Sequence, residues 1–390
     1  MSETFQSKWN YPTEVFFGVG ELKQLTGHCH SRGIRKPLIV TDAQLFDLPF
    51  FQAMLARLNE QGVTYAVFKE VKPNPTGGNV KLGTALLNQE ECDGVVAIGG
   101  GSALDAGKAI ALMAGQTLEL FEFEDEGDNW EKVNEDGVVP CIAVPTTAGT
   151  GSEVGRASVI HDEEAEVKKI IFHPTMLPTL VIADPELTVA LPAKLTAATG
   201  IDAFVHNFEA FCAPGFHPMA DGIAVEGMRL IWKWLEVAYQ EPENIRARSK
   251  MLAASSMGAT AFQKGLGAVH ALAHPLGALY DAHHGLLNAI LLPYVIVANQ
   301  SALTNKIEYL GRCFDLPKGD LETLLKAILD WRQRLGIPNT LQEIGIDASK
   351  AEQVGAMAIA DPTAMTNPIQ FTAEQYSQIF QAAVTGKISQ

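Results

Sequence analysis

Asp202 and His206 stand four residues apart in Gly-Ile-Asp-Ala-Phe-Val-His, and His270 and His274 repeat that spacing in Val-His-Ala-Leu-Ala-His-Pro. In a helix this spacing puts both members of a pair on one face, one turn apart. A doublet, His283-His284, follows just before Gly285. These five imidazoles are half of the ten in the chain, and they accompany one carboxylate in a largely apolar stretch. Several imidazoles without partners are costly to bury among apolar helices. Imidazoles with one carboxylate suit Zn(II) or Fe(II), and not Ca(II) or Mg(II). The pattern predicts a metal site. Spacing alone does not say which histidines bind, and each one taken singly reads as a core or capping residue.

A second constellation begins at Val95. The apolar run Val95–Ile98 leads into Gly99-Gly100-Gly101-Ser102, and Ala103–Lys108 then reads as the start of a helix. Free backbone N–H groups at a helix N-terminus, unobstructed by side chains, suit a diphosphate. Ser102 could cap that helix and donate to phosphate. The segment is not the GxGxxG fingerprint, so a plain tight turn is the competing reading. Asp42 closes the run LIVTD, where an acid can accept from a ribose 2′-hydroxyl and repel a 2′-phosphate, favouring NAD over NADP. An N-cap or turn aspartate is the competing reading for Asp42. The loop Pro145–Glu153 gathers hydroxyls and glycines after another apolar run and forms a candidate second wall for a dinucleotide.

The elements that must position these groups change character along the chain. Up to about residue 190, strand candidates at Pro37–Thr41, Tyr65–Phe68, Gly94–Ile98 and Cys141–Val144 alternate with helical patterns at Phe50–Gln61, Asn79–Asn88 and Ala103–Ala114. This order predicts a mostly parallel sheet with helices on both faces. Arg156–Ile160, Lys168–Phe172 and Leu180–Ala183 read as further strands, in hairpins lining a cleft. The acidic stretch Leu118–Asp136 reads as a solvated surface loop. After Pro192 helical periodicity runs almost throughout: Ala193–Thr199, Ile201–Phe211, Ala220–Val237, Ile245–Phe262, Val269–Leu279 and beyond. The expected organisation is an α/β dinucleotide-binding domain over 1–190 and an all-helical metal-binding domain over 191–390.

Bulk properties narrow the function. A chain of 390 residues with 47% hydrophobic content is too long for one simple core. The formal net charge of −16 argues against nucleic acid or an anionic membrane as partner. The five cysteines are scattered and form no CxxC pair, which fits a reducing compartment and not a disulfide framework. The first fourteen residues hold no apolar run of the secretory kind, and the most apolar stretch, Gly285–Ala298, is too short and too broken for a span. A cytoplasmic protein is expected.

Four long segments, in order, resemble the iron-containing (group III) alcohol dehydrogenases: Gly99–Ser102 with Asp105 and Lys108, Pro145–Glu153, Leu195–Ala203, and Gly267–Gly277. The resemblance runs from about Pro12 to about Ala383, with Pro73-Asn74-Pro75, Asp361-Pro362 and Asn367-Pro368 inside it. It implies a Rossmann-like N-terminal domain with a parallel sheet, an all-α C-terminal domain and an active site in the cleft between them, the architecture shared with dehydroquinate synthase. It implies Asp202, His206, His270 and His284 as metal ligands, and His274 as a catalytic residue near the nicotinamide. It implies cofactor contacts from Asp42, Asn74, Gly99, Gly100, Gly101, Ser102, Asp105, Thr146, Thr147, Gly149, Thr150, Lys168 and Leu187. The activity implied is metal-dependent hydride transfer between a primary alcohol, or its aldehyde, and NAD(H), with Fe(II) or Zn(II), in a homodimer. Three positions depart from the family pattern: His283, Asn207-Phe208 before Glu209, and Gly155. Two other readings stand beside it. One is oxidation of the terminal hydroxyl of an octulosonate-type sugar acid. The other, from a different class, is a non-catalytic protein that binds NAD and metal.

Overall fold

The computed structural model describes residues 10, 11 and 13–388. The expectation about the first fourteen residues therefore falls mostly outside the described residues. The chain divides into two compact units, one spanning Tyr11–Ala190 and one that takes the chain from Leu191 onward together with Asn10.

The first unit is built on a wholly parallel six-stranded sheet. Its strands are β1 (Val15–Phe17), β2 (Pro37–Val40), β3 (Ala66–Phe68), β4 (Gly94–Gly99), β5 (Cys141–Pro145) and β8 (Leu180–Ala183), in the order β1-β8-β5-β4-β2-β3. β2, β4, β5 and β8 are buried at every position, as strands covered on both faces must be. The helices α1 (Leu25–Ser31), α2 (Ala43–Phe46), α3 (Pro49–Glu60), α4 (Gly77–Gln89) and α5 (Gly101–Met113) supply the connections. Core side chains such as Phe51, Leu58, Val96, Ile142 and Ile182 pack α3 against the sheet. The antiparallel hairpin of β6 (Ala157–Asp162) and β7 (Val167–Phe172) stands as a separate two-stranded sheet.

Leu180–Ala183 departs from the expected hairpin. Four consecutive buried apolar residues fit a strand covered on both faces, and the segment lies between β1 and β5 in the main sheet. β1 was not anticipated, because three residues give too short a run to show alternation. The acidic stretch contains three short 3-10 turns, held down by buried Leu120 and Phe123.

α5 lies on β4 through Gly107. A Cβ there would come 2.4 Å from the Ala97 Cβ, an atom with no rotamer to escape into. Gly107→Ala gains about 1 kcal/mol of helix propensity but overpacks this contact at about 1–3 kcal/mol. A net loss of stability is expected, read as a lower denaturation midpoint in urea.

Among the described residues the second unit contains only helices: α6 (Ala193–Cys212), α7 (Pro218–Gln240), α8 (Ile245–Ala261), α9 (Ala268–Tyr280), α10 (His284–Ala298), α11 (Gln300–Cys313), α12 (Leu321–Arg334), α13 (Ala351–Ala360) and α14 (Ala373–Thr385), with short 3-10 turns. α6 is one helix where two were expected. Gly200 does not interrupt it, because its bare Cα makes room for Leu235 of α7, whose Cδ1 would lie 2.2 Å from an added Cβ. α6 is buried along nearly its whole length, so its polar residues must find partners inside the protein.

α10 contains Pro293. Proline has no N–H for the carbonyl four residues back, which here is Ala289. The fully buried Arg332 of α12 fills that gap, donating from Nη1 to Ala289 O at 3.0 Å and to Ile290 O at 2.8 Å. No single helix among the described residues is long and apolar enough to cross a membrane.

Candidate metal centre

Three helices each present a pair of polar side chains four residues apart: Asp202 and His206 on α6, His270 and His274 on α9, His284 and Asn288 on α10. One donor atom from each of Asp202, His206, His270 and His284 lies within 4.8 Å of all the others. The Nε2 atoms of His206, His270 and His284 stand 3.8, 4.0 and 3.8 Å from Asp202 Oδ1. Metal–N/O bonds of about 2.1 Å in tetrahedral geometry would put donors about 3.4 Å apart, so pairs now 3.8 to 4.8 Å apart must draw together by roughly 0.4–1.4 Å to close on one ion. Gly285 permits the approach of α10 to α6, since a Cβ there would meet Ala198 O at 2.7 Å and Asp202 Cβ at 3.2 Å.

Burial drives the Asp202 carboxyl upward, but His206, His284 and His270 together with the Asn288 amide outweigh it and hold the group at about 2. Asp202 is therefore an anion across the working pH range. Burial pushes His284 well below the usual imidazole value, with the neighbouring histidines adding to the effect against Asp202. His284 is thus a neutral lone-pair donor near pH 7. Burial also acts downward on His270, but the hydrogen bond and charge of Glu209 reverse it and leave a net upward shift.

Glu209 is the residue that sequence reasoning missed. It lies on the α6 face that bears Asp202 and His206, at spacing seven and three, and that spacing was the available signal. Its Oε2 meets His270 Nδ1 at 2.6 Å and accepts from Gly267 N at 3.0 Å, while Oε1 accepts from Val269 N at 2.7 Å. Asn367 Oδ1 accepts from the intervening Ala268 N at 3.0 Å. Three of the donors that open α9 are thus satisfied, and a carboxylate occupies the positive end of the helix. The same carboxylate fixes Nδ1–H on His270 and turns its Nε2 lone pair toward the other donors.

Asp361 does the same for His274, with Oδ2 at 2.7 Å from His274 Nδ1. His274 stacks on His284 with ring centroids 5.4 Å apart. Asp361 is 87 residues from His274, so no local spacing could have paired them. The doublet separates cleanly: His284 joins the cluster, whereas His283 is exposed and caps α10, its Nδ1 accepting from Leu286 N at 3.3 Å. His283→Ala is expected to leave metal content unchanged by elemental analysis and to cost about 1 kcal/mol of stability through the lost cap.

The nucleotide-type residues gather at the carboxyl edge of the α/β sheet. The chain runs outward from β2 to β3 and then returns on the other side through β4, so the strand order reverses between β2 and β4. Ligands of open α/β sheets bind outside the strand ends at such a reversal. Asp42 lies two residues beyond β2 and caps α2, its Oδ1 accepting from Gln44 N and Leu45 N. Gly99 ends β4, Gly100 is the N-cap of α5 and Gly101 its first residue. The loop after β5 lies alongside: Thr146 N donates to Gly99 O at 2.9 Å, and a Cβ on Gly101 would be 2.7 Å from Thr150 Cγ2, while one on Gly100 would be 3.2 Å from Thr147 Cγ2. Gly149 belongs to this loop. Lys168 of β7 donates to Asn74 Oδ1 at 2.9 Å. Leu187 is buried in the turn after β8.

Two of these residues are engaged otherwise than their types suggested. Ser102 does not cap α5, and its hydroxyl donates instead to Pro73 O at 2.5 Å. Asp105 accepts from Ser152 Oγ and Val159 N and pairs with the buried Lys108 at 3.2 Å, tying the β5 loop and the hairpin to α5.

Both halves of the chain match known families. A family profile described as iron-containing alcohol dehydrogenase matches residues 12–185, and the profile of the C-terminal domain of the Fe-containing alcohol dehydrogenase family matches residues 196–384. A 4-hydroxybutyrate dehydrogenase of Cupriavidus necator is 39% identical, over 96% of this chain and 99% of its own. An NAD-dependent methanol dehydrogenase of Bacillus methanolicus is 34% identical, over 96% and 98%. The structure of a sulfoacetaldehyde reductase from Bifidobacterium kashiwanohense in complex with NAD+ superposes with a TM-score of 0.90 at 27% identity, covering 98% of this chain and all of that one. These relatives favour neither the sugar-acid reading nor the non-catalytic one. With both profiles matched in sequence order and together spanning nearly the whole length, the chain belongs to the iron-containing alcohol dehydrogenase family.

Proposed function

We propose that this oxidoreductase moves a hydride between a primary alcohol, or the corresponding aldehyde, and NAD(H), with Asp202, His206, His270 and His284 holding one Fe(II) or Zn(II). The observation that carries the reading is the convergence of one ionised carboxylate and three imidazoles within 4.8 Å. Nitrogen and oxygen donors in that ratio suit either metal. When bound, the cation supplies Lewis acidity toward the alcohol or aldehyde oxygen, and the nicotinamide carries the hydride.

The chain's own residues hold and orient. Glu209 keeps His270 in the tautomer that offers Nε2. Asp361 does so for His274, which leaves His274 Nε2 able to accept the proton that an alcohol gives up and to return it to the product in the reverse direction. In the α/β unit the open N–H groups at the start of α5 receive a diphosphate, with Gly99, Gly100 and Gly101 allowing close approach. The Asp42 carboxylate favours a free ribose 2′-hydroxyl, hence NAD. Asn74, Ser102, Thr146, Thr147, Gly149, Thr150, Lys168 and Leu187 line the remaining contacts, and Asp105 supports them through Ser152. On this reading Tyr11–Ala190 form the dinucleotide-binding domain and the unit from Leu191 onward the metal-binding domain. The five free thiols support a cytoplasmic location, and the exposed Val15 and Phe17 of the edge strand β1, with exposed Val19 just beyond it, support a homodimer.

The test is elemental analysis of anaerobically purified protein together with NAD- and NADH-linked assays over short alcohols, diols, aldehydes and ω-hydroxy acids such as 4-hydroxybutyrate. About one equivalent of iron or zinc, with turnover lost to a chelator and restored by the metal, is the expected result. A protein that takes up no metal on reconstitution would overturn the assignment of the four ligands.

A further inference from the structure

Asn288 lies one turn after His284 on α10 and is fully buried. Its Nδ2 lies 2.7 Å from Asp202 Oδ1, 3.1 Å from His284 Nε2 and 3.2 Å from His270 Nε2. A single amide thus addresses three of the four clustered donor atoms. Its Oδ1, also buried, finds no hydrogen-bond partner among the described residues. The contacts fix which way round the amide sits. Glu209 holds the proton of His270 on Nδ1, so His270 Nε2 presents a lone pair and requires a donor opposite it.

The three contacts are not equivalent once a cation is considered. An imidazole nitrogen has one lone pair, which can serve a metal or an N–H, but not both. A carboxylate oxygen has two and can serve both. The hydrogen bonds from Asn288 to His270 and His284 therefore exclude metal ligation by those nitrogens, while the bond to Asp202 is compatible with it. Four electron-rich donor atoms crowded within 4.8 Å repel one another, and a partly positive NH2 group among them relieves that repulsion.

We propose that Asn288 is a positioning residue that holds the ligand set together before metal arrives and yields two of its three partners when metal binds. The proposal rests on the reading of Asp202, His206, His270 and His284 as ligands. It has a sign that an ordinary supporting residue lacks. Asn288 shares its two N–H groups among three acceptors in the metal-free form, and only Asp202 can still accept in the loaded form, so removing it destabilises the metal-free form more and tightens metal binding. A residue that merely orients Asp202 would do the opposite, weakening binding by about 10–100-fold when removed.

The test compares the parent protein with Asn288→Leu, which keeps the shape and loses both N–H groups, and with Asn288→Ala in case leucine prevents folding. Zn2+ affinity is measured by competition with a chromophoric chelator, and thermal midpoints are taken with and without Zn2+. The expected result is a lower midpoint for the metal-free variant, a wider gap between metal-free and loaded midpoints, and a Zn2+ dissociation constant several-fold below that of the parent. Weaker or unchanged Zn2+ binding in a folded variant would overturn the proposal. A parent protein that binds no Zn2+ would remove the ligand assignment on which it rests, and with it the proposal.

Discussion

His270→Ala is expected to lose metal and turnover together. His270 contributes Nε2 to the cluster, contacts Asn288, and anchors the Glu209 carboxylate at the head of α9. Loss of a supporting residue around a metal costs about 10–100-fold in affinity or activity, and loss of a ligand should exceed that. Glu209 keeps its bonds to Gly267 N and Val269 N but loses its imidazole partner, which adds a penalty of about 1–3 kcal/mol to folding. Metal content by elemental analysis and NADH-linked kcat decide the matter. A variant that retains stoichiometric metal and normal turnover would show that His270 is not a ligand.

Glu209→Gln is expected to approach that loss without touching any of the four proposed ligands. A glutamine amide can donate to His270 Nδ1, which would place the ring proton on Nε2 and aim it at the other donors. It can also no longer accept fully from Gly267 N, Val269 N and His270 at once, as the carboxylate does. Metal affinity should fall about 10–100-fold. A proton titration distinguishes this from simple loosening of α9. Burial alone would hold His270 below the ordinary imidazole value, and Glu209 reverses that. In metal-free protein followed by NMR, His270 should therefore titrate above the ordinary imidazole value in the parent and at lower pH in Glu209→Gln, where only Asp202 and Asp361 still oppose burial. A histidine raised on folding contributes stability that is complete below the unfolded value and fades as pH rises through the folded one. The metal-free parent gains this contribution in acid and the variant does not. An unchanged His270 titration would mean that Glu209 serves only as a helix cap.

The fold was legible where the sequence pattern is long or strongly apolar. The runs Pro37–Thr41, Gly94–Ile98 and Cys141–Val144 declared buried parallel strands to within a residue at each end, and the periodicity after Pro192 declared the helical unit. Pattern failed at short or ambiguous pieces. β1 has three residues, Leu180–Ala183 resembles any apolar run until its neighbours are known, and Gly200 looks like a break until Leu235 fills its place. At the site, residues paired along one helix could be found from spacing, and the structure brings Asp202, His206, His270 and His284 together. Pairings made only through tertiary packing could not, even where, as at Glu209, helix spacing flagged the residue itself. Glu209 reaches His270 across 61 residues, Asn288 reaches Asp202 across 86, and Asp361 reaches His274 across 87. Residue type also misled at Ser102, a good capping residue in a capping position whose hydroxyl turns to Pro73 instead.

Arg332 bears on how the helical unit opens. Its guanidinium joins the interrupted middle of α10 to α12 and also reaches Asn339 O at 3.4 Å, so α10 cannot loosen there without stripping a buried cation of its acceptors. Local opening follows such shared bonds more than chain connectivity. In amide hydrogen exchange, the backbone around Ala289 and Ile290 should gain and lose protection together with α12, even though α11 separates them in sequence. The segment that carries His284 and Asn288 would then belong to one cooperative unit with a helix some forty residues further along the chain, and slow exchange in α12 would report on the integrity of the metal centre.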